Sequence, residues 1–145
     1  MPAWKRPESV LVVIQSPGPS FLLLKRIDPA DFWQSVTGSL DEGETAIAAA
    51  CREVEEETGL DGSNVRSTGV VNRYAIHPAW RHRYAADVEE NVEHVFSLEL
   101  PEVPEIRLDP AEHRAYRWLP ATEAIVLASS ATDRIAIRHL SGLHP

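Results

Sequence analysis

Apolar residues come first along this chain as short stretches separated by turn formers. Ser9 to Ile14 is β-branched and largely apolar, which predicts a strand. Ser16-Pro17-Gly18-Pro19-Ser20 predicts a turn, and Phe21 to Lys25 resumes as a second strand, so the pair reads as a hairpin. Asp28-Pro29-Ala30-Asp31 is a further break, followed by Phe32-Trp33-Gln34-Ser35-Val36-Thr37-Gly38. From Glu44 to Thr58 the period changes. Ile47, Ala50, Cys51 and Val54 fall at i, i+3, i+4 and i+7, the apolar stripe of a helix that Gly59 stops. Val65 to Tyr74, Val92 to Leu100 and Ala115 to Leu119 are strand-like. Thr122 to Ala128 and Asp133 to Leu140 return to helical periodicity, with Ile125, Leu127, Ile135, Ala136 and Leu140 as the apolar positions. Strands, an inserted helix, more strands and terminal helices predict an α/β (α+β) chain, a mixed sheet covered by helices.

Composition narrows the classes. With 145 residues, the size prior is one domain over the whole chain, 1–145, and no repeat or linker interrupts it. No apolar run is long enough to span a bilayer, and the N-terminal residues lack the apolar core of a secretory signal. Cys51 is the single cysteine, so no internal disulfide framework exists. These features predict a cytoplasmic protein with no membrane partner. The formal net charge of −8 argues against nucleic acid as a partner, because phosphate-backbone affinity needs clustered Lys and Arg. A small anionic ligand stays compatible, since local cations or metal ions dominate at short range.

The acid is concentrated where it costs the helix energy. Glu53, Glu56 and Glu57 fall at i, i+3 and i+4, a spacing that converges their carboxylates on one helix face. Like charges there cost roughly 0.2–0.5 kcal/mol per pair. They also lie in the C-terminal half of the helix, where the macrodipole disfavours negative charge. Arg52 is the one local offset. Hard oxygen ligands at this density suit Mg²⁺, with Mn²⁺ as a substitute, better than zinc. Magnesium commonly shares its shell with water and substrate phosphates, so a polyphosphate is the expected substrate.

Gly38, Glu44, Arg52, Glu53, Val54, Glu56, Glu57, Gly59 and Leu60 match every fixed position of the Nudix box, G-x5-E-x7-R-E-U-x-E-E-x-G-U, where U is a bulky aliphatic residue. The chain therefore resembles the Nudix family. The resemblance implies an α/β/α sandwich around a mixed sheet and a metal-dependent cut between two phosphates. It implies Glu53 and Glu57 as metal ligands, with Glu56 beside them and the Gly38 carbonyl contributing. Arg52 and Glu44 are implied to orient those carboxylates.

Four further segments resemble the bacterial branch of the family that removes pyrophosphate from 7,8-dihydroneopterin triphosphate in folate biosynthesis. They are Lys5 to Ile14, Asp31 to Ser39, Arg81 to Ala85 and Glu112 to Leu119. By this resemblance Glu112 is a third metal ligand or the catalytic base, with Glu56 as the alternative base.

A triphosphate needs cations beyond the metal, for which Lys5, Arg26, Arg81 and Arg83 are the candidates. Thr37, just before Gly38, is either a hydrogen-bond partner for a substrate oxygen or an ordinary strand-end residue. A flat ring needs an aromatic face, for which Trp33, Trp80 in the Pro78–Arg83 loop and Tyr84 are the candidates, with the core as the alternative place for Trp33. Ser130, between the last helices, is assigned to the pocket lining. His77, His82, His94, His113 and Cys51 have no metal-ligand spacing and are expected to be structural.

Two other functions fit the sequence less well. One is a broader (deoxy)nucleoside triphosphate pyrophosphatase. The other is a nucleotide-sensing domain that does not hydrolyse, against which the complete glutamate set argues. The sequence leaves monomer and homodimer open.

Overall fold

The computed structural model describes residues 4–142. Its centre is β1 (Glu8–Ser16), buried through Val10–Ile14 on both faces. That burial explains why the segment is apolar throughout rather than alternating. Val10, Val12 and Ile14 pack into one core, while Leu11 and Val13 pack into another on the opposite face. The hairpin partner β2 (Ser20–Arg26) divides the same way, with Leu22 and Leu24 in the first core and Phe21 and Leu23 in the second.

Seven strands form one mixed sheet. β6 (Glu90–Glu99) runs parallel to β1 from Glu8↔Val92 to Gln15↔Glu99. The other edge of β1 is shared: β2 pairs with it at Gln15 and Ser16, and β4 (Val36–Ser39) pairs at Ser9–Val12. β3 (Trp33–Gln34) adds to β2, as does β7 (His113–Pro120), and β5 (Arg66–Ala75) closes the far edge on β6. The chain thus leaves β2 at Gln34 and joins β1 at Val36. Ser35 at this switch is buried, its N–H and hydroxyl both donating to the Asp133 carboxylate at 2.6 and 2.7 Å.

One face carries α1 (Ala46–Thr58), the other α2 (Ala121–Leu127) and α3 (Ala131–Leu140). This is the expected α/β/α sandwich. Thr45 caps α1 by accepting from the Ala48 N–H, and Gly59 ends it at φ 74°, a left-handed turn that favours glycine.

Several boundaries and faces differ from expectation. Helix α1 begins at Ala46 rather than Glu44, because Thr45 takes the cap and the Glu44 side chain turns back to accept from the Asp41 N–H. Ile47 does not lie on the buried stripe: it is 45% exposed. The buried face is Ala49, Ala50, Glu53, Val54 and Glu57, so the helix is rotated to carry two carboxylates inward. Ile135 likewise points outward, and Ala136 and Ile137 fill the core in its place. The Pro78–Arg83 loop coils into one 3-10 segment, with the His77 ring accepting from the Ala79 N–H.

Candidate active site

The Gly38–Glu44 loop links β4 to α1, and the two elements meet where Gly38 faces Glu53. A Cβ built at Gly38 would run into the Glu53 carboxylate, so any larger residue there displaces that carboxylate from its present place. The carboxylates of α1 then divide by environment. Glu53 and Glu57 are buried, whereas Glu56 lies at the helix surface.

Arg52 holds this group together. Its guanidinium donates to both Glu44 oxygens, to Glu53 Oε1 at 2.7 Å, to Glu56 Oε2 at 3.2 Å and to the Ser39 carbonyl at 3.1 Å. Glu44 is pulled down to about 2, chiefly by the Arg52 hydrogen bonds. Glu53 is pushed up to about 7, because burial outweighs its bond to Arg52. Burial and the neighbouring Glu53 push Glu57 well above the usual carboxylate range, against the Thr37 backbone N–H that stabilises its charge. Glu57 Oε2 is buried without a hydrogen-bond partner.

Such a buried, orphaned carboxylate oxygen is costly unless a cation meets it. Among the described residues, no group of three or more His, Cys, Asp or Glu side chains stands arranged to hold a metal ion. Glu53 Oε1 is turned onto Arg52 instead. The all-oxygen donor set fits a hard divalent cation that completes its shell with water and phosphate oxygens, and Glu57 Oε2 is free to join it.

These carboxylates line one side of a cleft of about 1560 Å³. Glu112, on the turn before β7, lines the same cleft, where its charge acts on Glu57, Lys5 and Arg26. Lys5, Arg26 and Arg83 line the cleft together. Desolvation and then the two arginines lower the Lys5 ammonium, and desolvation lowers Arg26. Three cations held this close repel one another, an arrangement that a polyanion relieves. Arg26 also lies over the Trp80 ring, 5.6 Å from its centroid, and Trp80 meets Phe32 edge-on at 5.4 Å. Trp80 and Ser130 both line the cleft, the Ser130 hydroxyl also capping α3 by accepting from Asp133 N–H.

Two predicted residues have other engagements. The structure does not bring Arg81 to the cleft wall; its guanidinium donates to the Val88 carbonyl at 2.6 Å and braces its own loop. Thr37 lines the cleft, but its hydroxyl donates to the Val10 carbonyl at 2.8 Å, in keeping with the strand-end alternative. Among the histidines, His113 is buried against Gln34 and lowered to about 4 by desolvation, and His94 meets Glu8 at 2.7 Å.

The sequence did not single out Arg6, which ties the Asp41 and Glu44 carbonyls to Glu8. It also missed a polar group in the cleft lining: Ser9, Asn91, Glu93, Tyr74 and Asp133. Alternating polar residues in β6 look like a solvent face until side chains of β1 and β5, with Thr132 of α3, are seen to enclose them.

Comparison with known proteins agrees with this geometry. The NUDIX domain model matches residues 5–140. The chain is 45% identical over 139 residues to dihydroneopterin triphosphate diphosphatase of Escherichia coli, covering 92% of this chain and 91% of that one. It is 34% identical over 146 residues to the Haemophilus influenzae protein of the same name, covering 95% and 89%. The solved structure of the E. coli dihydroneopterin triphosphate pyrophosphohydrolase superposes with a TM-score of 0.91 at 41% identity, covering 98% of this chain and 99% of that one. Motif, site and fold agree: the chain belongs to the Nudix hydrolase family.

Proposed function

We propose that this chain hydrolyses 7,8-dihydroneopterin triphosphate to dihydroneopterin monophosphate and pyrophosphate, with Mg²⁺ as its metal and Mn²⁺ as a substitute. The observation that carries the reading is one cleft that joins the α1 carboxylates to the Lys5, Arg26 and Arg83 cations and ends in an aromatic and polar recess. The relatives named for the same substrate support the choice of pterin. Among the described residues no helix is long and apolar enough to cross a membrane. We place the reaction in the cytoplasm.

A divalent ion held in the cleft would supply charge neutralisation on the phosphates and activation of the water that attacks phosphorus in line. Glu53, Glu57 and the Gly38 carbonyl would hold it, with Glu56 at the rim. Arg52 and Glu44 keep those carboxylates in place. Lys5, Arg26 and Arg83 bind the phosphate chain and lower the charge that an incoming nucleophile meets. Glu112 lines the same cleft and its charge acts on Glu57, whereas Glu56 is engaged by Arg52. We therefore assign the water's proton, or a third metal bond, to Glu112.

Pyrophosphate release from dihydroneopterin triphosphate, GTP and dATP, compared at matched low concentrations with Mg²⁺, tests the reading. We expect kcat/KM at least roughly tenfold higher for the pterin, about 1.4 kcal/mol of transition-state preference. Equal or faster cleavage of the nucleotides makes the enzyme a general nucleotide pyrophosphatase. Binding without release makes it a sensor.

A further inference from the structure

The face of the sheet under α3 changes character along its length. Near the middle it is apolar, with Leu11, Val13 and Val95 in the core against Ala136 and Ile137. Towards the cleft the same face turns polar: Ser9 on β1, Asn91 and Glu93 on β6, Asn72 and Tyr74 on β5. The register places Ser9 beside Glu93, Asn72 opposite Glu93 and Tyr74 opposite Asn91, so these side chains share one patch.

Glu93 is 3% exposed. Its carboxylate accepts from Asn72 Nδ2 at 3.2 Å, from the Tyr74 hydroxyl at 3.2 Å and from the Thr132 side chain. No Lys or Arg is bonded to it, and burial raises it above the usual carboxylate range. Asn91 is equally buried. Its amide nitrogen donates to Ser9 Oγ at 2.8 Å and to Tyr74 at 3.1 Å, which leaves Oδ1 with no partner. Asn91 and Glu93 both line the cleft. The patch therefore offers acceptors on two neighbouring side chains and lacks donors to fill them. A carboxylate has about four lone-pair positions, and three are taken at Glu93.

We propose that Glu93 and Asn91 select the substrate's ring, by accepting hydrogen bonds from adjacent N–H donors on its edge. The ligand class is a heterocycle with an amino group beside a protonated ring nitrogen. A dihydropterin and a guanine both present that edge. Adenine presents an amino group beside a bare ring nitrogen, which would set a lone pair against the buried acceptors. The proposal rests on the pyrophosphohydrolase reading of the cleft and adds the group that chooses among its substrates.

The test compares wild type with Glu93→Gln on dihydroneopterin triphosphate, GTP and dATP. The amide of Gln is isosteric with the carboxylate but turns one acceptor into a donor. We expect kcat/KM to fall at least tenfold for the pterin and for GTP, and less than threefold for dATP. A parallel fall on all three substrates, or no fall on any, overturns the proposal.

A second measurement needs no variant and no metal. Dihydroneopterin without phosphates is titrated into wild type while the side-chain amide resonances of Asn91 and Asn72 are followed by NMR. They should shift with dihydroneopterin and stay in place with inorganic tripolyphosphate. Stationary amides at saturating dihydroneopterin overturn it. The two readings fail separately. If wild type shows no preference for the pterin, but Glu93→Gln still lowers GTP against dATP, the pterin assignment falls and the edge-recognition role stands.

Discussion

Arg52 grips Glu44 through two bonds at once, Nε to Oε2 at 2.9 Å and Nη2 to Oε1 at 2.8 Å. Glu44 Oε1 also accepts from the Asp41 N–H. A fork of this kind fixes direction as well as charge, so the loop from Gly38 and the helix carrying Glu53 are locked as one piece. Lysine keeps the charge and loses the fork. Arg52→Lys should lower kcat/KM by about 10–100-fold, the usual scale for residues that orient metal ligands. Steady-state pyrophosphate release with circular dichroism as the folding check measures it. Unchanged kcat/KM would show that the fork has no part in the chemistry.

Glu57 is held against its own stability. Its Oε2 has no partner, and Glu53 repels it in a buried setting. Glu57→Gln removes a buried charge at constant shape. The metal-free protein should therefore melt at the same temperature as wild type or above it. The stabilisation that wild type gains from millimolar Mg²⁺ should be lost, together with activity. Thermal unfolding with EDTA and with Mg²⁺ separates the two effects. A variant that melts far below wild type in EDTA would mean Glu57 is a structural anchor instead.

Asp133 gives a pH signature of definite sign. It is fully buried and raised from 3.8 to about 6 by desolvation, despite the two Ser35 bonds. A carboxyl raised in the folded state binds its proton more tightly there than in the unfolded chain. Its contribution is therefore greatest below about pH 4 and declines as pH rises through 6, by roughly 3 kcal/mol in all. Asp133→Asn should remove that slope. Urea unfolding at pH 4, 6 and 8 should show wild type losing ground to the variant as pH rises. Curves that stay parallel would mean Asp133 does not titrate in this window.

The box was legible because its parts are close in sequence. Gly38, Glu44 and Arg52–Glu57 lie on one loop and one helix, so spacing alone brings them together. The layered fold was legible from the two-sided burial of β1 and the periodicity of the helices. Ile47 misled because helical spacing defines a stripe but not which way it faces: Ala49, Ala50 and Val54 pack into the core, and Ile47 is left exposed. Arg81 misled because a basic side chain in a 3-10 turn can satisfy its own loop's carbonyls. Glu93 and Asn91 were hidden because their spacing in β6 is that of a solvated face. Side chains of β1 and β5, with Thr132 of α3 on Glu93, enclose them.

The register of β1 also sets a length. Ser9 pairs with Ser39 of β4 on one side and with Glu93 of β6 on the other. Gly38 of β4 meets the Glu53 carboxylate of α1, and Asn91 and Glu93 project from β6. The strands that carry Gly38 and Glu93 thus lie two interstrand spacings apart, about 10 Å, and backbone hydrogen bonding holds that separation. The sheet thus serves as a ruler. With the ring seated at Glu93, the tether between ring and phosphates decides which anhydride reaches the carboxylates. A substrate analogue with a tether one or two bonds longer should be cut at a different phosphate, and one with a much shorter tether should bind without being cut.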